Sequence, residues 1–303
     1  MSLPVIFNLF GLSLPAHLVF ETLAYGLGFR LYLYLRKRHK DTIDDETRLT
    51  VLVGAVLGAA IGSKLLGFLE HPELWGLAVK SPVYFLAAKT ILGGLLGGIT
   101  GVEIAKAMAG ITRSTGDIYV FPLLIAIMIG RVGCLLTGIS DGTWGNETAF
   151  VMGFDAGDGI IRHPTPLYEI VFLAGLGVAL LAVQKYFPLV TNVLDASKGD
   201  CPPELMRGKP ARLERTRNEG DLFKLFIMAY CGWRFVIEFL KPVTTYSLSF
   251  SSLNIVQNTA TAMARDFNVS GLSILQIAAL LGFCYYAWIF AERTLRRGID
   301  GGA

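Results

Sequence analysis

Long apolar stretches alternate with short polar segments along the whole chain. A helix needs about 20 mostly apolar residues to cross the hydrocarbon of a bilayer. Stretches of that kind fall at 17–35, 49–69, 82–105, 118–138, 165–185, 221–240 and 271–290. The pattern predicts an all-α integral membrane protein with about seven transmembrane helices, forming a single polytopic domain over residues 1–303. No basic segment precedes the first stretch and no small-x-small site follows it, so it is expected to stay as a helix rather than be cleaved as a leader. Three longer connections remain. Residues 139–164 are rich in Gly and Asp, with turn signals at Asp141-Gly142, Trp144-Gly145 and Asp158-Gly159. Residues 186–220 carry Pro202, Pro203 and many charges, and within 241–270 the segment 252–266 is read as a short interfacial helix.

Composition agrees with this reading. Hydrophobic residues make up 53% and charged residues 17%, against roughly 25% charged in ordinary globular proteins, and mean hydropathy is +0.53. The net charge of +3 hides an asymmetry. With the N-terminus outside, the inner segments collect Arg36 to Lys40 and Arg48, Lys106 and Arg113, Lys185 to Arg217, and Arg293 to Arg297. The outer segments hold only Lys80, Arg162, Lys241 and Arg265. Basic residues concentrate on the cytoplasmic side, so the N-terminus is expected outside and the C-terminus in the cytoplasm. The basic stretch 207–217 is then a juxtamembrane segment, and no nucleic acid is expected as partner. Cys134, Cys201, Cys231 and Cys284 form no C-x-x-C pair, so neither a disulfide framework nor a zinc site is indicated, and no metal or cofactor is expected.

Gly54, Gly58 and Gly62 repeat at four-residue spacing in the second stretch, and Gly93, Gly97 and Gly101 do the same in the third. Such faces let helix backbones approach closely in lipid. Charges inside hydrocarbon are costly and need a reason. Glu21, Lys64, Lys89, Arg131, Glu169, Arg234 and Glu238 lie in six different predicted helices, all in the outer half of the membrane by the assigned topology. Arg234 and Glu238, one turn apart, can pair. Arg131 sits among small residues in Gly130-Arg131-Val132-Gly133, and an arginine fork matches a phosphate bidentately. Two readings fit these charges equally: one polar cavity open to the outer leaflet and suited to an anionic headgroup, or structural ion pairs holding the bundle.

Three motifs separate them. Gly130-Arg131-Val132-Gly133-Cys134-Leu135-Leu136-Thr137-Gly138 resembles the G-R-x-G-x-x-x-N-G signature of the prolipoprotein diacylglyceryl transferase family. Arg162-His163-Pro164-Thr165-Pro166-Leu167-Tyr168-Glu169 is similar to that family's R-H-P-x-Q-L-Y-E segment, and Arg234-Phe235-Val236-Ile237-Glu238-Phe239-Leu240-Lys241 to its R-F-x-x-E-F-x-R helix. Leu92-Gly93-Gly94-Leu95-Leu96-Gly97 matches H-G-G-L-x-G except at its first position.

The resemblance implies transfer of a diacylglyceryl group from phosphatidylglycerol to the thiol of a lipobox cysteine in a preprolipoprotein, with a thioether formed and glycerol phosphate released, in a bacterial inner membrane. It implies Arg131 and Arg234 as a clamp on the departing phosphate, oriented by Glu169 and Glu238. Gly93, Gly94, Lys89, Gly133, Tyr168 and Lys241 are expected at the substrate. The departures are concentrated. Leu92 stands where the family has its thiol-activating histidine, Glu21 where it has a tyrosine, Cys134 and Thr137 where it has asparagines. Leucine takes no proton, which leaves Glu21 and His163 as the candidate bases. Glu21 is equally suited to pairing with Lys64 or Lys89, and His163 to holding its loop. His17, His39 and His71 fall at membrane edges or in loops and are read as incidental. Two rival readings are a related glyceryl or phosphoglyceryl transferase with another acceptor, and a non-catalytic lipid-binding or transport protein.

Overall fold

The computed structural model of the protein describes residues 3–9, 11–38, 44–71, 81, 85, 88–112, 114–186, 220–242, 245–248, 255–258 and 271–300. Among them stand seven α-helices: α1 Ala16–Arg38, α2 Asp45–Glu70, α3 Ile91–Met108, α4 Val120–Thr137, α5 Thr165–Tyr186, α6 Asp221–Ile237 and α7 Ile274–Asp300. Each falls on one of the seven apolar stretches. Five segments are long and apolar enough to cross a membrane: Asp45–Glu70, Ile91–Met108, Asp117–Asp141, Thr165–Lys185 and Ile274–Glu292. Of the other two helices, α1 carries His17, Glu21 and Arg30, and α6 is only 17 residues long.

Side-chain caps set the helix starts that hydropathy cannot see. Asp44 accepts from Thr47 N at 2.8 Å and begins α2 ahead of its apolar stretch. Thr90, in extended backbone, accepts from Gly93 N at 3.0 Å, so α3 starts at Ile91 rather than 82 and Lys89 lies before the helix instead of within it. Ser273 and Gln276 cap α7 reciprocally, Ser273 N to Oε1 at 2.9 Å and Gln276 N to Oγ at 3.1 Å.

Three short antiparallel hairpins are added to the helices: β1 Ile6–Leu9 with β2 Leu12–Pro15, β3 Phe154–Asp155 with β4 Ile161–Arg162, and β5 Thr245–Leu248 with β6 Ile255–Asn258. The last one corrects the helix expected over 252–266. At 255–258, where Ile255 and Val256 are β-branched, the backbone is extended and paired. The rest of that segment, and nearly all of the 186–220 connection, lie outside the described residues.

The chain forms two compact units, Met1–Thr42 with Arg113–Phe226, and Ile43–Thr112 with Ile227–Ala303. In the first, α1 lies antiparallel along α4. Gly28 meets Ala126 and Pro122, and a Cβ at Gly133 would lie 2.9 Å from Phe20 Cβ and 3.2 Å from His17 Cα. In the same unit the Asp117 carboxylate accepts from Gly220 N at 2.7 Å and Phe223 N at 2.9 Å, capping α6 from a segment more than 100 residues earlier in the chain. Replacing Asp117 with Ala leaves those amides without their cap. The expected loss is about 1 kcal/mol of stability, read as a lowered melting temperature in detergent.

In the second unit, the two glycine faces meet. A Cβ at Gly54 would lie 2.6 Å from Gly101 O, and Gly58 abuts Gly97 and Gly62 abuts Gly93 in the same antiparallel order. Gly93 is therefore part of the α2–α3 seam, whereas Gly94 makes only ordinary contact with Ser63 and Ala59.

Candidate active site

Four of the seven charges found in the apolar stretches form one buried ion pair in each unit. In the first, Arg131 on α4 and Glu169 on α5 join through Nη2 and Oε2 at 2.9 Å, with 5% and 2% of each residue exposed. In the second, Arg234 near the end of α6 holds Glu238 Oε2 at 2.7 Å, and Glu238 is fully buried. Glu238 belongs to a 3-10 turn, Glu238–Leu240, rather than to the α-helix, and Lys241 N closes that turn on Glu238 O at 3.2 Å. Glu70, at the end of α2, shares the electrostatic field of Glu238, Arg234, His71 and Lys241. Hydropathy placed Glu70 just past its span and hid this role.

Around Arg131 the first unit builds a larger polar cluster. Arg131 Nη1 donates toward Cys134 Sγ at 3.7 Å, and that sulfur lies 3.9 Å from His17 Nδ1. His17 Nδ1 is 2.7 Å from Asp141 Oδ1, and His17 Nε2 is 3.3 Å from Glu21 Oε2. Thr143 Oγ1 donates to Asp141 Oδ2 at 2.7 Å, and Tyr25 Oη to Glu21 Oε1 at 2.9 Å. The local backbone explains the convergence. Gly133 lets the first turn of α1 press on α4 beside Cys134. Gly138, at φ 71°, ends α4 and starts the 3-10 turn Gly138–Asp141, which returns Asp141 to the imidazole.

His17 is thus no incidental edge residue, and Asp141 does more than mark a turn. Both were missed because they are separated in sequence and neither stands in a motif. Only their pairing, made by the α1–α4 approach, marks them. Glu21 is engaged with His17 and Tyr25 within this unit. Leu92, in the histidine's place, is a buried apolar side chain with 1% of it exposed.

His163 has a different setting. Its Nδ1 lies 3.2 Å from Tyr168 Oη, its backbone pairs with Gly145 and Asn146, and Arg162 beside it is held by Asp158 at 2.8 Å. These contacts fix the loop ahead of α5. Burial holds the His163 imidazole below its ordinary value. A lowered folded pKa favours the neutral form, so this contribution to loop stability is present above the unfolded value of about 6.5 and is lost as pH falls through the depressed one. Amide protection factors over residues 145–163, corrected for the intrinsic exchange rate, are expected to fall on acidification through that window, and His163→Gln to remove that pH dependence.

Sequence comparison adds to this geometry. The family model for prolipoprotein diacylglyceryl transferase matches residues 4–194, which include the Arg131 signature and the Glu169 segment. The chain belongs to that family. Among its relatives are proteins named phosphatidylglycerol–prolipoprotein diacylglyceryl transferase. The one from Dehalococcoides mccartyi is 26% identical, with 78% of this chain and 81% of the relative aligned. That from Bordetella parapertussis is 27% identical over 72% and 76%, and that from Pseudoalteromonas translucida 25% identical over 98% and 97%. As a diacylglyceryl transferase family member, the chain keeps both motif arginines with their carboxylate partners. Two of its four departures, Glu21 and Cys134, both touch His17.

Proposed function

We propose that the protein is a diacylglyceryl transferase of a bacterial inner membrane, moving the diacylglyceryl group of phosphatidylglycerol to the lipobox cysteine thiol of a preprolipoprotein. The acceptor sulfur forms a bond to the glyceryl carbon and loses its proton. The carbon–oxygen bond to phosphate breaks, and glycerol phosphate leaves with the electron pair. The observation that carries the reading is Arg131, a motif arginine buried in an apolar helix with one arm on Glu169. A buried guanidinium held in a fixed direction stabilises charge developing on a departing phosphate far better than one in water. Glu169 sets its orientation. Arg234, the other motif arginine, is held in a fixed buried direction by Glu238 within the second unit. Seven membrane-spanning helices with the N-terminus outside are part of the proposal, supported by the segregation of basic residues.

The test is purified protein in detergent with phosphatidylglycerol and a lipobox peptide, followed by mass spectrometry. The peptide is expected to gain one diacylglyceryl group on its cysteine. Binding of phosphatidylglycerol without transfer to any thiol peptide would overturn the assignment.

A further inference from the structure

Resting on the transferase reading, we propose that His17, Cys134 and Asp141 form a zinc site whose open fourth position takes the acceptor thiol as thiolate. One ligand atom from each residue lies within 4.8 Å of the other two. They come from three separately anchored pieces, the first turn of α1, α4 and the 3-10 turn after it, with Gly133 and Gly138 making the approach possible.

The donor set is nitrogen, sulfur and oxygen, which suits zinc, and three protein ligands with an open position is the arrangement of catalytic rather than structural zinc. Zinc–ligand bonds of about 2.0–2.3 Å put tetrahedral ligand atoms roughly 3.4 Å apart. The His17–Asp141 contact of 2.7 Å opens slightly and the Cys134–His17 contact of 3.9 Å closes slightly to accept an ion.

The outer contacts are those such a site needs. Glu21 holds the far ring nitrogen of His17, which directs Nδ1 to the metal, and Tyr25 steadies Glu21. Thr143 occupies Asp141 Oδ2 and leaves Oδ1 for the ion. Arg131 Nη1, against Cys134 Sγ, puts the phosphate clamp beside the metal position.

The chemistry fits the departures from the family motifs. Leu92 cannot accept a proton, but a thiol bound to zinc is deprotonated outright, its proton leaving to water. The bound sulfur uses its electron pair on the glyceryl carbon, the carbon–oxygen bond breaks toward phosphate, and the neutral thioether, a weaker ligand, dissociates. The loss of a histidine at 92 and the presence of a soft ligand at 134 belong to one change of mechanism.

The experiment uses the full chain in detergent, stripped by a chelator and titrated with zinc alone against a competing indicator, with cobalt as spectroscopic probe. Stoichiometric zinc is expected, together with a thiolate-to-cobalt charge-transfer band that Cys134→Ser abolishes. Glu21→Gln is expected to weaken zinc about 10- to 100-fold while leaving that band in place. Folding is checked by the unchanged elution of each variant. A well-folded wild-type chain that takes up no more zinc than Cys134→Ser overturns the site. Transfer that persists after complete zinc removal overturns its role in thiol activation and leaves the transferase reading standing. Stoichiometric zinc without transfer to any thiol peptide supports the site and overturns the transferase reading instead.

Discussion

Arg131→Lys is expected to lower kcat/KM for diacylglyceryl transfer by about 10²–10³. The substitution keeps the positive charge, so the ion pair with Glu169 at 2.9 Å retains a cation and the fold is preserved. The planar fork is lost. In the native arrangement one guanidinium arm is on Glu169 and another is directed at Cys134, so orientation is fixed before the lipid arrives. A lysine ammonium is a point charge on a flexible stem and cannot hold two directions at once. The companion Glu169→Gln leaves a buried guanidinium without its counter-charge, and is expected to cost stability as well as rate. Initial rates with phosphatidylglycerol and a lipobox peptide, measured beside melting temperatures, separate the two effects. A rate within a few-fold of wild type in a fully folded Arg131→Lys protein would rule out the phosphate role.

The second large effect is structural. Gly97→Ala should destabilise the second unit by about 3 kcal/mol, because its Cβ would press on Gly58 O and lie 2.8 Å from Gly62 Cα. These are backbone atoms, and no rotamer change relieves them. Gly98→Ala, one residue along, is the control. Its Cβ would meet Ala55 O and Ala59 Cβ at an ordinary 3.5 Å. Relief of glycine's poor helix propensity, up to about 1 kcal/mol, makes that change neutral or stabilising. Unfolding in a denaturing detergent series reads both signs. Equal effects from the two substitutions would refute a close-packed seam.

The positions of the helices were legible because a bilayer imposes a length and a polarity on every segment that crosses it. Their ends were not, since Asp44, Thr90 and the Ser273–Gln276 pair act through one or two hydrogen bonds that hydropathy averages away. Arg131, Glu169, Arg234 and Glu238 were legible for a related reason, as charges in hydrocarbon call for partners and the partners were there. His17 and Asp141 were invisible individually. A histidine at a helix end and an aspartate before a glycine both have ordinary explanations, and the approach of α1 to α4 at Gly133 is what removes them. The cysteines gave no hint of a metal because the ligands at 17, 134 and 141 follow no short spacing rule.

The glycine seam has a property that its sequence alone leaves open. Three glycines at equal intervals on each of two antiparallel helices form a ladder that matches itself again after a slip of one step, about 6 Å along the axis. Position along the ladder is set at its end, where Thr90 N reaches Ser63 O at 3.2 Å and Ser63 Oγ at 3.1 Å, and where Gly67 admits the backbone of Lys89. Those few hydrogen bonds act as a pawl on a ratchet, holding one tooth of the ladder against the next.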